Sequence, residues 1–187
     1  MGFWEVIGPN ILELVRESYQ KGFIIGALNS TFVALIPKTS KTCTFDEFRP
    51  ISLCNFLNKI VSKVIAERLK PFINNIVTSE QFGFLKDRQI LDVVGATQEG
   101  IHTIKKKGLQ ACLLKIDLTK AYDKVDWGYL RLLLIHIGLS NSLVNWIMGC
   151  VTSTQFYVLV NGAPTNFFMG SRGLRQGCHC HRFSSCL

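Results

Sequence analysis

The residue with the most chemical potential in this chain is an aspartate at the end of an apolar run, where Ala111-Cys112-Leu113-Leu114-Lys115-Ile116 leads into Asp117. The run reads as a short strand, and a strand ending on a carboxylate projects it at the rim of a sheet, where it could hold a divalent metal. Phosphoryl or nucleotidyl transfer by two metals needs clustered carboxylates around ions roughly 3.5–4 Å apart. One aspartate does not hold two ions. Asp123 and Asp126 follow closely, but nothing in their spacing aims them at the same point. The structural alternative for Asp117 is a strand-end aspartate that caps the next turn. Any single Lys or Arg, Lys38, Arg49 and Arg88 included, could meet a phosphate, an arginine in two places through its guanidinium fork. Each could equally be a solvated surface charge.

These residues depend on the elements around them. Ile11, Leu12, Leu14, Val15 and Tyr19 recur at helical spacing between residues 10 and 21, closed by Gly22. Thr31 to Ile36 reads as a buried strand stopped by Pro37, and the polar stretch Lys38 to Glu47 as a loop or hairpin. From Asn55 to about Lys70, Ile60, Val61, Val64, Ile65 and Leu69 share one helical face. A further helix runs from about Ile90 to Lys107 and ends at Gly108, with three lysines in its last turn. Beyond Asp117, two helices cover roughly Trp127 to Ile137 and Ser142 to Val151, with Gly138 between them. Phe156 to Val160 then meets Asn161-Gly162, a strong hairpin signal. The class is α+β.

Composition sets the outer bounds. With 187 residues, 48% of them hydrophobic, the chain has enough apolar side chains for a packed core. A net charge of +8 favours an anionic partner such as nucleic acid, although an ordinary basic protein carries the same charge. Seven cysteines lack the spacing of a disulfide framework, so a reduced, intracellular setting (nucleus or cytoplasm) is the simplest expectation. The opening Met1-Gly2-Phe3-Trp4-Glu5 has no signal-peptide pattern, and no apolar run reaches the ~20 residues of a membrane span.

Five motifs stand in a fixed order: Phe32-Val33-Ala34-Leu35-Ile36-Pro37-Lys38, Phe48-Arg49-Pro50-Ile51-Ser52-Leu53, Gln81-Phe82-Gly83-Phe84 with Asp87-Arg88-Gln89-Ile90-Leu91-Asp92, Lys115 to Trp127, and Arg172-Gly173-Leu174-Arg175-Gln176-Gly177. From about residue 20 to Gly177 the chain resembles the reverse transcriptase of a non-LTR (LINE-type), plant-like retrotransposon. The resemblance implies the fingers and part of the palm of a right-hand polymerase, with RNA template, DNA primer, deoxynucleotides and Mg²⁺ as partners. It makes Asp117 the metal-binding catalytic aspartate and Tyr122 the ring that lies beneath the incoming sugar and excludes a 2′-hydroxyl. It gives Lys38 and Arg49 to the triphosphate, Arg88 to a template or primer phosphate, and Gln176 and Gly177 to the border of the nucleotide pocket. Its regions are an N-terminal helical lead-in at 1–29, a fingers-like part at 30–108 and a partial palm at 109–177.

The resemblance breaks after Cys178. The family continues with Pro-Leu-Ser-Pro, whereas residues 178–187 read Cys178-His179-Cys180-His181-Arg182-Phe183-Ser184-Ser185-Cys186-Leu187. A zinc site is one reading, but adjacent ligands cannot all face one tetrahedral ion and the usual spacing between paired ligands is absent. A frame slip explains the tail better. Codons can be chosen for Pro-Leu-Ser-Pro followed by apolar residues that yield this tail after loss of a single base; a mispredicted splice junction is the competing origin. The family's Tyr-x-Asp-Asp motif does not occur in the chain, so the expectation is a catalytically incomplete fragment. The alternative is a non-catalytic remnant with weak, nonspecific nucleic-acid binding. Phe156 to Val160 is then expected to pack poorly, beside uncovered apolar surface.

Overall fold

The computed structural model describes residues 3–42, 44–78, 80–83, 89–118 and 120–175. Helix α1 (Phe3–Lys21) starts well before the periodic stretch and carries Pro9 inside it. A proline there removes one intrahelical hydrogen bond, and the helix continues through it. Strand β1 (Ser30–Pro37) turns back through the 38–47 loop, whose last residues form a short 3₁₀ turn, into β2 (Phe48–Cys54). The pairing is antiparallel, with Ile36 opposite Arg49 and Leu35 opposite Pro50. Among the described residues strand β2 has β1 as its one neighbour, and an edge position tolerates Pro50 and its missing N–H.

Asn55 caps helix α2 (Phe56–Ile76) by accepting from the Leu57 N–H at 3.0 Å. The helix runs past the expected Lys70, with Ile73 continuing the buried face of Ile65 and Leu69 and Pro71 carried on the exposed side. Helix α3 (Ile90–Lys107) ends on Gly108 in the left-handed region, and none of its residues is buried. Helix α4 (Trp127–His136) and helix α5 (Asn141–Thr152) follow, with Gly138 at φ +85° between them. Strand β3 (Gln155–Val160) turns through Asn161 and Gly162, both at positive φ, into the short β4 (Ala163–Pro164), and β5 (Phe168–Met169) returns beside its start. Two consecutive positive-φ residues suit a tight hairpin.

Strand β1 lies between β2 and β3, and its pairing with β3 is parallel, Ser30 beside Gln155 and Val33 beside Val158. One core joins the early and late halves of the chain. It takes Val61, Ile65, Leu69 and Ile73 from α2, Leu130 and Leu134 from α4, and Leu143, Val144, Trp146 and Ile147 from α5. Burial of each such side chain contributes roughly 1.5–3 kcal/mol. Helix α1 is pinned to α5 by Trp146, which donates to Ser18 Oγ at 3.1 Å and meets Tyr19 edge-on at 5.2 Å. Helix α5 crosses the turn after α1 at backbone distance, so that a Cβ on Gly149 would overlap the Gly22 carbonyl oxygen. Among the described residues no helix is long and apolar enough to cross a membrane.

Two expectations are corrected. Residues 111–116 form no strand, and the whole 109–118 segment is irregular. Its apolar side chains stay in solvent, with Leu113, Leu114 and Ile116 each more than three-quarters exposed. A strand needs a hydrogen-bonding neighbour, and the described strands pair with one another and not with this segment. The second correction concerns Phe156 to Val160. These residues are paired with β1 on one side and with β4 and β5 on the other, and Phe156 stacks on Phe168 at 5.6 Å. Apolar surface beside this strand does stay uncovered, with Val160, Phe167, Phe168 and Met169 each about half exposed, and 109–118 adds a further exposed apolar stretch.

Candidate functional site

The site is built where the β1–β2 loop, the segment around Tyr122 and the 172–175 loop meet. Lys38 leaves the end of β1 with its backbone N–H donating to the Glu47 carbonyl at 2.8 Å. Its ammonium turns back to the Asp46 carbonyl oxygen at 2.7 Å. Arg49 follows on β2, exposed. The loop reaches across to the second segment through Asp46, whose Oδ1 lies 2.6 Å from Lys120 Nζ.

That ion pair sets the local electrostatics. The hydrogen bond from Lys120, helped by its charge, holds the Asp46 carboxyl below its ordinary value, and Lys38 adds a smaller pull in the same direction. The same hydrogen bond raises Lys120 above the usual lysine range, with Asp123 contributing a further negative field. Lys120 itself sits in the left-handed region (φ 53°, ψ 41°) and opens the 3₁₀ turn Ala121–Lys124.

Tyr122 is half-buried in that turn. Its carbonyl accepts the Leu174 N–H at 2.8 Å, and the Val125 carbonyl accepts the Gly173 N–H at 2.8 Å. Trp127 Nε1 closes the junction by donating to the Gly173 carbonyl at 2.8 Å. Two motifs far apart in sequence are thus joined along their main chains. Beneath this junction a mainly apolar cavity of about 290 Å³ opens between the sheet and the 172–175 loop, lined by Val33, Ser52, Trp127, Phe156 and Arg175 among others.

Asp117 lies in the irregular segment, exposed, and not at a sheet rim. Asp126, one of the two nearby carboxylates, is occupied structurally, since it caps α4 by accepting from the Tyr129 N–H at 2.8 Å. Arg88, Gln176 and Gly177 fall outside the described residues, as does the 178–187 tail.

Residues 36–181 match the family described as reverse transcriptase (RNA-dependent DNA polymerase). The chain belongs to that family. Over 176 residues, 94% of its length, it is 29% identical to the Transposon TX1 uncharacterized 149 kDa protein of Xenopus laevis. It is 23% identical, over 76% of its length, to the retrovirus-related Pol polyprotein from the type-1 retrotransposable element R2 of Popillia japonica. The chain spans 14% and 20% of those two proteins. These relatives agree with the motifs in making it a reverse transcriptase sequence of the non-LTR, LINE type.

Reverse transcriptases use a divalent metal, and the chain's own donors can be tested against that need. Among the described residues no three His, Cys, Asp or Glu side chains gather closely enough to hold an ion. Asp117 supplies a single carboxylate from an irregular segment, which does not suffice for a two-metal site.

Sequence reasoning missed the polar hub that supports the 172–175 loop. Arg175 donates to Thr31 Oγ1 at 3.1 Å and to the Cys150 carbonyl at 3.3 Å, tying the loop to β1 and to the end of α5. The Cys150 carbonyl also accepts from Asn29 Nδ2 at 3.0 Å, and Asn58 Nδ2 donates to Asn29 Oδ1 at 2.5 Å. Asn29, Thr31 and Asn58 are fully buried. The available signal was a polar residue inside an apolar helical face, Asn58 one turn ahead of Val61 and two ahead of Ile65. Asp46 and Lys120 carried no signal, since each reads as an ordinary surface charge.

Proposed function

We propose that this chain contributes the nucleotide-facing part of an RNA-directed DNA polymerase that extends a DNA primer along an RNA template. The single observation that carries the reading is the convergence of three ordered motifs, with the β1–β2 loop held to Lys120 and the 172–175 loop bonded to Tyr122 and Val125. In this reading Lys38 and Arg49 take the triphosphate and Tyr122 lies against the sugar. Gln176 and Gly177 border the pocket, and Arg88 meets a template or primer phosphate. Asp117 would be one of the carboxylates that hold Mg²⁺, the described residues offering no cluster for the ion by themselves. The fingers-like part at 30–108 and the palm part at 109–177 share one core, which supports a fixed relation between triphosphate and sugar contacts.

The test pairs binding with extension. A labelled RNA–DNA hybrid is expected to bind without sequence preference, its affinity falling steeply between about 50 and 200 mM salt as counterions are released. A flat salt response overturns the reading. In a primer-extension assay with Mg²⁺ and deoxynucleotides, any extension must vanish on Asp117→Asn, and extension that survives removes Asp117 from the site. One observation favours a second reading, a nucleic-acid-binding remnant without catalysis: the lone, exposed carboxylate of Asp117. Salt-dependent binding with no extension is its signature.

A further inference from the structure

We propose that Lys120 is an additional contact for the nucleotide's triphosphate, kept in place by Asp46 until the phosphates displace that carboxylate. The inference rests on the polymerase reading above and adds to it a residue and a gate.

Three observations converge. Lys120 and Asn161 are the non-glycine residues at positive φ among those described, and Asn161 is accounted for by its hairpin turn. Lys120 serves no hairpin, and a side chain in this region strains the backbone that carries it. It stands between Asp117 and Tyr122, where it turns the chain into the Ala121–Lys124 helix and sends its side chain to the β1–β2 loop.

The partner is the second observation. Asp46 gathers two ammonium groups, Lys120 on its carboxylate at 2.6 Å and Lys38 on its carbonyl at 2.7 Å. Lys38 is assigned to the triphosphate, so a cation beside it on the same residue is within reach of the same anion. An acidic residue between two cations occupies the position that suits a phosphate oxygen.

The third is exposure. Asp46 is 83% and Lys120 53% exposed at the side chain. An ion pair in water is weak and easily exchanged. A triphosphate brings several negative charges and strong acceptor oxygens, and charge-assisted bonds to it outcompete one carboxylate. Displaced from Lys120, Asp46 would free the loop that carries Lys38.

Calorimetric titration of the full chain with inorganic triphosphate, at low ionic strength and in the presence of a chelator, tests the gate. Lys120→Gln is expected to weaken binding about two- to fivefold and Asp46→Asn to tighten it by a similar factor. The gain from Asp46→Asn should disappear in the Lys120→Gln background, because Asp46 then has no Lys120 to withhold. Equal affinity for the parent chain and Lys120→Gln overturns the proposal, as does an Asp46→Asn gain that persists without Lys120. Both side chains are exposed, so thermal midpoints should stay within a few degrees of the parent, showing that the variants are folded. A Lys120→Gln chain that loses RNA–DNA hybrid affinity but keeps triphosphate affinity would place Lys120 on a backbone phosphate and also overturn it. If the parent binds the hybrid in a salt-dependent way but ignores triphosphate, this inference alone fails. If it binds neither, the polymerase reading fails with it.

Discussion

Leu174 donates its backbone N–H to the carbonyl of Tyr122 at 2.8 Å, fastening the loop that leads to Gln176 onto the turn that carries the Tyr122 ring. The neighbouring Gly173 makes this possible. It sits at φ +83°, and a Cβ there would lie 2.8 Å from the Asp123 carbonyl oxygen. Gly173→Ala adds both a strained backbone and a contact with main chain that cannot rotate away. It is expected to lower stability by about 3 kcal/mol, read as a lower urea midpoint at unchanged slope.

The buried amides of Asn29 and Asn58 bond to each other and hold the end of α5 through the Cys150 carbonyl. Asn29→Ala strips the Asn58 amide of that partner and takes one donor from Cys150, so a loss of about 3 kcal/mol is expected. Arg175→Met should cost less, about 1–2 kcal/mol, because Cys150 keeps its bond from Asn29. Denaturant titration of both variants checks the order. Arg175→Met costing more than Asn29→Ala would move the centre of the hub to Arg175.

Acid and alkali should each break the Asp46–Lys120 pair. The folded carboxyl of Asp46 is held below 3.8, so its contribution is present above that value and is lost as pH falls through the depressed one. Lys120 is raised above 10.5, so its contribution is present below that value and is lost as pH rises through the raised one. The pair therefore spans the neutral range. An NMR titration should place the Asp46 midpoint below 3.8 in the parent and bring it back towards 3.8 in Lys120→Gln.

Leu113 and Leu114 contribute apolar surface without any burial in return. Replacing both with serine should leave the unfolding free energy within about 0.5 kcal/mol, since exposed sites matter little to the folded state. The same change should reduce self-association, measured by light scattering at rising concentration. A large loss of stability would show that the segment is packed in solution.

The order of motifs and the periodicity of helices and hairpins were legible in the sequence, because these signals are local. Gly22, Gly108, Gly138 and Asn161-Gly162 mark chain reversals by their backbone freedom, and Val61, Ile65 and Leu69 mark one face by spacing. Strand β2 was harder to read, because Pro50 argues against a strand until its edge position is known. The strand assigned to residues 111–116 shows the opposite failure. An apolar run fixes what a segment would bury, but a strand exists only where another strand bonds to it, and that is a tertiary fact. Tertiary structure alone also decided the parallel pairing of β1 with β3, the Arg175–Cys150–Asn29–Asn58 hub, and the meeting of Asp46 with Lys120. Each depends on groups far apart along the chain, whose encounter no local pattern encodes.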